Sequence, residues 1–302
     1  MDAIPLIIPV FNRPEWTKAC LDALVDPCSF SLPVVPVLVD NGCRPKTSSL
    51  LSNWMAEWSS AGGAGKVVRR ETNGGFAAGV NAGLQSIMGE TSFKSVCVMH
   101  NDCVPFPGWL AEMSSILEGD DDIGLVMPRT NYANEWSMCI PELRKKYEAL
   151  KPPNKDRLSP EEVSALVEAT CGADRKAFVA SLAEQPVRAS YSTEVSSFCM
   201  LVRMELFQKY GKFDEDFWPR GFEDKFFWQP IERDGYVAMV ANHVFVFHGG
   251  NITSDGPSMC FPEIMKMNEE KFRRKCEERD RTMAQKLKSQ SGTAAGSVGA
   301  KV

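Results

Sequence analysis

The feature that most constrains this chain is a repeated alternation of short apolar runs with amphipathic stretches over its first 117 residues. Strand-length apolar runs fall at Leu6–Val10, Val34–Val39, Val67–Val68 and Val96–His100. Between them lie helical stretches at Pro14–Leu24, Thr47–Trp58 and Phe76–Met88, and Pro107–Leu117 follows the last. Pro14 suits a first helical turn, and Trp16, Cys20, Leu21 and Leu24 share one face of the helix it opens. Strand alternating with helix builds βαβ units, so an α/β fold with a mainly parallel, twisted sheet flanked by helices is expected. In such sheets ligands gather at the carboxyl ends of the strands.

Length and composition narrow the class further. A chain of 302 residues, 44% hydrophobic and 24% charged, is an ordinary globular sequence rather than a disordered or collagenous one. No window offers the ~18 consecutive apolar residues of a membrane helix. The N-terminus enters an apolar strand at once, without a signal-peptide pattern, so a cytoplasmic location is expected. Ten scattered cysteines without a C-x-x-C pair read as reduced thiols and argue against a zinc site. Asn251-Ile252-Thr253 matches a glycosylation acceptor in form only.

A net charge of −5 opposes an overall nucleic-acid footprint. Lys266–Lys288 carries nine Lys or Arg against five Asp or Glu on a predicted helix. Contact of this helix with nucleic acid or a membrane surface is one reading, and a solvated surface helix is the preferred one. Ser289–Val302, rich in Ser, Gly and Ala, is expected to be a disordered tail.

From about Thr130 to Arg188 the rhythm breaks, with Pro152-Pro153, a helix start at Ser159-Pro160-Glu161-Glu162 and a second helix at Ala173–Leu182. This middle is read as a helical insertion over the sheet's carboxyl edge. Strands resume at Ser197–Arg203, Val237–Val240 and Val244–Phe247.

The chemistry-bearing residues sit where strands end. The first delivers Pro9-Val10-Phe11-Asn12-Arg13, the second Asp40-Asn41-Gly42, and the fourth His100-Asn101-Asp102-Cys103. Between the latter two runs Asn73-Gly74-Gly75-Phe76-Ala77-Ala78-Gly79-Val80-Asn81. This segment holds no G-x-G-x-x-G and does not follow the first strand, which excludes a dinucleotide-binding turn. Its small residues suit close approach of backbone to a ligand or to another helix. Asp102, after a buried strand and beside Asn101, could hold Mg²⁺ or Mn²⁺, or could simply cap a helix. Gly221-Phe222-Glu223-Asp224 opens an apolar helix, and a partly desolvated carboxylate pair there suits a general base. His248 leaves an apolar strand into Gly249-Gly250, a position from which it could reach a metal.

In order along residues 4–250, these segments, with Phe213-Asp214-Glu215 added, resemble the GT-A glycosyltransferases of family 2. The resemblance implies a GT-A-like fold with a helical insertion and a C-terminal helix. It also implies a nucleoside-diphosphate-sugar donor, with UDP-sugar favoured, a divalent ion (Mn²⁺ or Mg²⁺), and inversion at the sugar. Residues 1–129 would form the nucleotide-sugar half, 130–195 the insertion on the acceptor side, and 196–262 the acceptor and catalytic half. Residues 263–288 and 289–302 would be the charged helix and the tail.

By position, Pro9, Asn12, Arg13 and Asp40 would line the nucleotide, while Asn73, Gly75, Asn81 and Asn101 would flank the diphosphate or sugar. Asp102 and His248 would hold the metal. Asp224, with Glu223 beside it, would be the base. The acceptor would be a hydroxyl on a glycan, small molecule, protein or modified nucleobase. Two positions depart from the family: His100 stands at the first acid of the metal motif, and Phe226 and Gln229 stand where a further Asp and an Arg are usual. The second departure suggests an apolar acceptor-side wall at Phe226, and His100 and Phe226 together keep open a degenerate domain that binds nucleotide or glycan without turnover. Nucleotidyltransferases fit less well, because Asn12-Arg13-Pro14 lacks their Gly-rich loop and Lys.

Overall fold

The computed structural model describes residues 2–25, 32–90, 93–133, 135–250 and 261–295, the last ten by backbone alone. Cys28, Cys260 and the Asn251–Thr253 tripeptide lie outside the described residues. The first half is the expected alternation: β1 (Ile4–Val10), α1 (Pro14–Val25), β2 (Val34–Asn41), α2 (Pro45–Ser60), β3 (Lys66–Arg70), α3 (Gly75–Ile87) and β4 (Ser95–Met99). Then come β5 (Cys103–Pro105), α4 (Trp109–Glu118) and β6 (Ile123–Arg129). The insertion holds α5 (Pro141–Leu150), α6 (Pro160–Cys171) and α7 (Arg175–Ala183). The second half is β7 (Ala189–Ser192), β8 (Cys199–Arg203), α8 (Met204–Tyr210), α9 (Glu223–Arg233), β9 (Val237–His248) and α10 (Phe261–Ala295).

The strands form one sheet in the order β3-β2-β1-β4-β8-β6-β9-β5, with β7 also on β9. β3, β2, β1 and β4 are parallel, as are β6 and β9. β8, β5 and β7 pair antiparallel, so the parallel character belongs mainly to the first half. Every residue of β1 is buried, which explains its unbroken apolar run. α3 lies so close to this sheet that a Cβ at Gly83 would sit 2.5 Å from the Ile7 side chain. Helix packing therefore accounts for part of the Gly-rich segment.

The insertion carries its own apolar cluster, where Tyr147, Leu158, Val163 and Val167 meet Trp16 of α1 and Phe245 and Phe247 of β9. Ser159 and Glu162 close a capping box at the start of α6, which is the signal the sequence carried.

α10 begins at Phe261 and continues through Ala295, so residues 289–295 are helical rather than tail, and 296–302 lie outside the described residues. It docks through Asn268, fully buried, whose amide donates to the carbonyls of Phe217 and Arg220 at 2.9 Å each. Lys275 pairs with Asp214 and Asp216, and Arg233 with Asp280. Arg273, Arg274 and Arg281 pair with glutamates along the helix. Spending these charges on docking and on neighbours favours the surface-helix reading. Among the described residues no helix is long and apolar enough to cross a membrane.

Candidate active site

A cavity of about 420 Å³ opens at the carboxyl edge of the sheet. Its lining includes Pro9, Asn73, Gly75, His100, Asn101, Asp102, Tyr132, Glu135, Ser197, Arg220, Glu223, Asp224 and His248, with Ile264 and Met265 of α10 on one side.

The end of the cavity bearing the two histidines is set by strand register. β5 pairs antiparallel with β9 so that Cys103 stands opposite His248, which brings Asp102 beside His248. The Gly249 amide closes this junction by donating to the Asp102 carbonyl at 2.9 Å. Asp102 Oδ1 lies 3.5 Å from His248 Nε2 and 3.8 Å from His100 Nδ1. One ligand atom from each of the three residues can be chosen within 4.8 Å of the others.

His248 is oriented from behind. Its Nδ1 meets the Tyr132 carbonyl at 2.8 Å, and its backbone exchanges two hydrogen bonds with the Asn131 side chain. A proton on Nδ1 leaves Nε2 a lone pair, and Nε2 is a buried atom without a hydrogen-bond partner among the described residues. Burial and the neighbouring His248 push the His100 imidazole well below its ordinary pKa, so His100 is a neutral potential ligand at pH 7. Burial alone would raise the Asp102 carboxyl, but both imidazoles and Lys155 outweigh it and hold it well below the usual range. Two imidazoles around a carboxylate, one of them held at its far nitrogen Nδ1 by a carbonyl so that Nε2 faces the cluster, are a donor set that fits a divalent cation.

The carboxylate pair lies on another wall. Phe222, at φ +74, turns the chain into α9, and Glu223 and Asp224 form its first turn. Asp224 Oδ2 accepts from the Ser197 amide and hydroxyl at 2.9 and 3.0 Å, and Oδ1 from the Lys225 amide at 2.8 Å. Glu223 is buried, and its Oε2 has no hydrogen-bond partner among the described residues. Burial, then the adjacent Asp224, push its carboxyl up to about 8, so it holds its proton at neutral pH. Glu135 also lines the cavity and pairs with Lys225 at 3.1 Å, and burial raises its pKa as well.

Not every residue singled out from the sequence reaches the cavity. Pro9, Asn73, Gly75, Asn101, Asp102, Glu223, Asp224 and His248 do. Gly75, at φ +84, lies so near the Pro219 carbonyl that a Cβ would be 2.7 Å from it.

Asn12, Arg13, Asp40 and Asn81 do not line the cavity, because their polar atoms are engaged elsewhere. Asn12 accepts from the Arg44 amide, and Arg13 pairs with Asp156 of the insertion. Asp40 accepts from the Cys43 amide, the Ser48 hydroxyl and Arg69. Asn81 exchanges hydrogen bonds with the Phe213 backbone and donates to Glu215. Phe226 also turns away from the cavity: its ring faces Phe272 and lies under the Arg279 guanidinium at 4.2 Å, while Gln229 accepts from Arg279. The expected acceptor-side wall at Phe226 is instead a seat for α10.

Sequence reasoning treated His100 as a loss and overlooked Arg220, Ser197 and Glu135. His100 carried a legible signal, since histidine is itself a metal ligand. Arg220 did not: what marks it is that its guanidinium lines the cavity, stacks on Phe261 at 4.9 Å, and has no hydrogen-bond acceptor among the described residues.

The model of glycosyl transferase family 2 matches residues 6–211. The chain belongs to this family. By structure, the chain is similar to GalNAc-T7 solved with UDP, GalNAc and Mn²⁺, at TM-score 0.56 and 15% identity over 82% of this chain and 44% of that one. It is similar to the mannosyltransferase PcManGT from Pyrobaculum calidifontis, solved with GDP-Man and Mn²⁺, at TM-score 0.52 and 16% identity over 81% and 56%. It is also similar to TarS of S. aureus, at TM-score 0.51 and 14% identity over 82% and 36%. The chain thus spans between 36% and 56% of the length of these solved proteins. Likeness at such identities shows the fold, which is GT-A. No curated protein matches the chain by sequence.

Proposed function

We propose that this glycosyltransferase is metal-dependent and inverting, and moves a sugar from a nucleoside-diphosphate sugar to an acceptor hydroxyl. The observation that carries this reading is one cavity lined by both the His100–Asp102–His248 cluster and the Glu223–Asp224 pair. UDP-sugar is the favoured donor, and a glycan, small molecule, protein or modified nucleobase the acceptor. The Mn²⁺ and nucleotide ligands of GalNAc-T7 and PcManGT support the donor and metal classes. Two imidazoles with one carboxylate favour Mn²⁺ over Mg²⁺, which prefers oxygen ligands and retained water.

His100 Nδ1, Asp102 Oδ1 and His248 Nε2 would hold the ion. When bound, it supplies Lewis-acid stabilisation of charge on the leaving diphosphate. Arg220 presents a largely desolvated guanidinium to the same cavity, without a hydrogen-bond acceptor among the described residues, and its fork matches phosphate oxygens. Asp224, fixed by Ser197, takes the proton of the attacking hydroxyl, a step that contributes ~10²–10⁴-fold in rate. Glu223 keeps its proton and thereby spares the base a second adjacent negative charge. Direct displacement at the sugar needs this one base and inverts the anomeric carbon. His100 replaces an acid with another potential ligand and Phe226 serves α10, so the cavity keeps both a three-residue cluster and a carboxylate pair, and this favours a working enzyme over a degenerate binder.

The test is hydrolysis of UDP- and GDP-sugars by chelator-stripped enzyme with and without added Mn²⁺, with the released sugar read by proton NMR. Release of nucleoside diphosphate that needs Mn²⁺, with the β-anomer appearing first from an α-linked donor, is expected. Release indifferent to chelator, or the α-anomer first, would overturn the proposal.

A further inference from the structure

The helical insertion was expected on the acceptor side, yet two of its side chains reach the backbone that carries His248. Tyr147 of α5 is fully buried, and its hydroxyl donates to the Gly249 carbonyl. Lys155, in the turn between α5 and α6, donates to that same carbonyl at 2.8 Å and to the Gly250 carbonyl. Its ammonium also lies 3.4 Å from the Tyr147 hydroxyl. Lys155 is in turn located from α1, because Trp16 Nε1 donates to its backbone carbonyl at 2.8 Å. The next residue, Asp156, pairs with Arg13 at 3.3 Å.

This grip falls where the strand can no longer do the work. The β5–β9 ladder ends at the Cys103–His248 pair. The next two residues are glycines, with no side chains to pack, so hydrogen bonds to their backbone must define the path beyond His248. Inside the barrel of contacts the Asp102 carbonyl takes the Gly249 amide, while Tyr147 and Lys155 take the Gly249 carbonyl. Through Asn131 and Tyr132 the segment after β6 holds the His248 backbone and ring. Lys155 adds a positive charge that acts on Asp102.

Resting on the metal-dependent reading above, we infer that Tyr147 and Lys155 are positioning residues of the metal centre: they brace the His248–Gly249 backbone so that the imidazole and the Asp102 carboxylate converge on one ion. The insertion is then part of the cation site as well as a cover for the sheet edge. The same bonds explain why Arg13 turns to Asp156 instead of the cavity, since that pair fixes the turn from which Lys155 reaches across.

Partners of this kind, once removed, typically cost about 10–100-fold in metal affinity. The experiment titrates Mn²⁺ alone into the full chain and its variants, reading free Mn²⁺ by electron paramagnetic resonance, with the metal-free melting temperature recorded beside it. Lys155→Met and Tyr147→Phe should each weaken Mn²⁺ binding by about 10–100-fold, and Lys155→Arg should restore part of the loss. Tyr147→Phe, which deletes a single hydroxyl, keeps the test alive if Lys155→Met fails to fold. Lys151→Met is the control, because Lys151 lies over the same Tyr132 ring at 5.6 Å but pairs with Glu148, and it should leave Mn²⁺ affinity unchanged. Lower melting temperatures with unchanged Mn²⁺ affinity would show the brace to be merely structural and overturn the inference. In that case a loss of binding in His248→Ala would leave the metal-dependent reading standing. Wild type that binds no Mn²⁺, or His248→Ala that binds as well as wild type, would overturn both.

Discussion

Replacing Asp224 by Asn separates a catalytic role from a structural one, and the size of each effect follows from the contacts. The carboxylate accepts three hydrogen bonds, two on Oδ2 from Ser197 and one on Oδ1 from the Lys225 amide. An Asn in the same rotamer can keep its oxygen toward Ser197, but its NH₂ then faces the Lys225 amide, donor against donor. One bond is lost and a largely buried donor goes unsatisfied, a cost of about 1–3 kcal/mol. At about 2–4 °C per kcal/mol for a chain of this size, the variant melts lower but stays folded at 25 °C.

Loss of the base should cost ~10²–10⁴ in turnover, or ~2.7–5.5 kcal/mol of transition-state free energy. The assay is release of nucleoside diphosphate from a UDP-sugar with Mn²⁺, set beside UDP affinity by calorimetry. Turnover should collapse while UDP affinity stays within about twofold, because a base that meets the acceptor adds little to nucleotide binding. A loss in kcat of less than about tenfold, or a parallel loss of UDP affinity, would refute the assignment.

Three further outcomes are expected. Glu223 keeps its proton in the folded state up to about 8 but loses it near 4.5 when unfolded, so the stability it contributes is complete below 4.5 and is lost as pH rises through about 8. Glu223→Gln should therefore flatten the fall in urea midpoint between mildly acidic and alkaline pH, and an unchanged profile would count against a buried neutral acid. Asp40→Ala strands the Cys43 amide, the Ser48 hydroxyl and Arg69, so it should lower the unfolding free energy by about 1–3 kcal/mol with donor affinity nearly unchanged, measured by urea denaturation and calorimetry. Asn268→Ala removes both carbonyl contacts that seat α10 and should expose that helix to limited proteolysis before the rest of the chain.

How far the sequence could be read follows from where each signal comes from. β1, β2 and β4 were legible because strands buried on both faces keep an apolar run whatever their neighbours do, whereas β3, at the sheet edge and only half-buried, showed no more than Val67-Val68. β6 was not, since Gly124 and Pro128 interrupt its run, and its place is fixed by pairing with β8 and β9, which only tertiary structure provides. β9 reads as two strands because Asn242 and His243 break its pattern; in the fold Asn242 donates to the Val187 carbonyl and the Ser190 hydroxyl beside β7, so the strand continues through them.

At the site, Asp102, Glu223, Asp224 and His248 were legible from one rule, that polar residues closing buried strands or opening apolar helices face the carboxyl edge. The same rule also picked Asn12 and Asp40, and the Gly-rich segment added Asn81. Nothing in the sequence tells a side chain that faces the cavity from one that satisfies a turn, because the difference lies in distant donors such as Arg44, Arg69 and Phe213. Arg220 is the converse case: that a guanidinium faces the cavity is recognised only once its surroundings are known.

The most direct test of the account is a melting-temperature comparison with UDP, GDP, CDP and dTDP, each with Mn²⁺ and with chelator, on wild type and Asp102→Asn. One nucleotide at about 100 times its Kd should stabilise wild type by ~2.7 kcal/mol with Mn²⁺ present, and that gain should vanish with chelator and in the variant. Stabilisation of the same size in chelator, or in Asp102→Asn with Mn²⁺, would contradict a donor held through the His100–Asp102–His248 cluster.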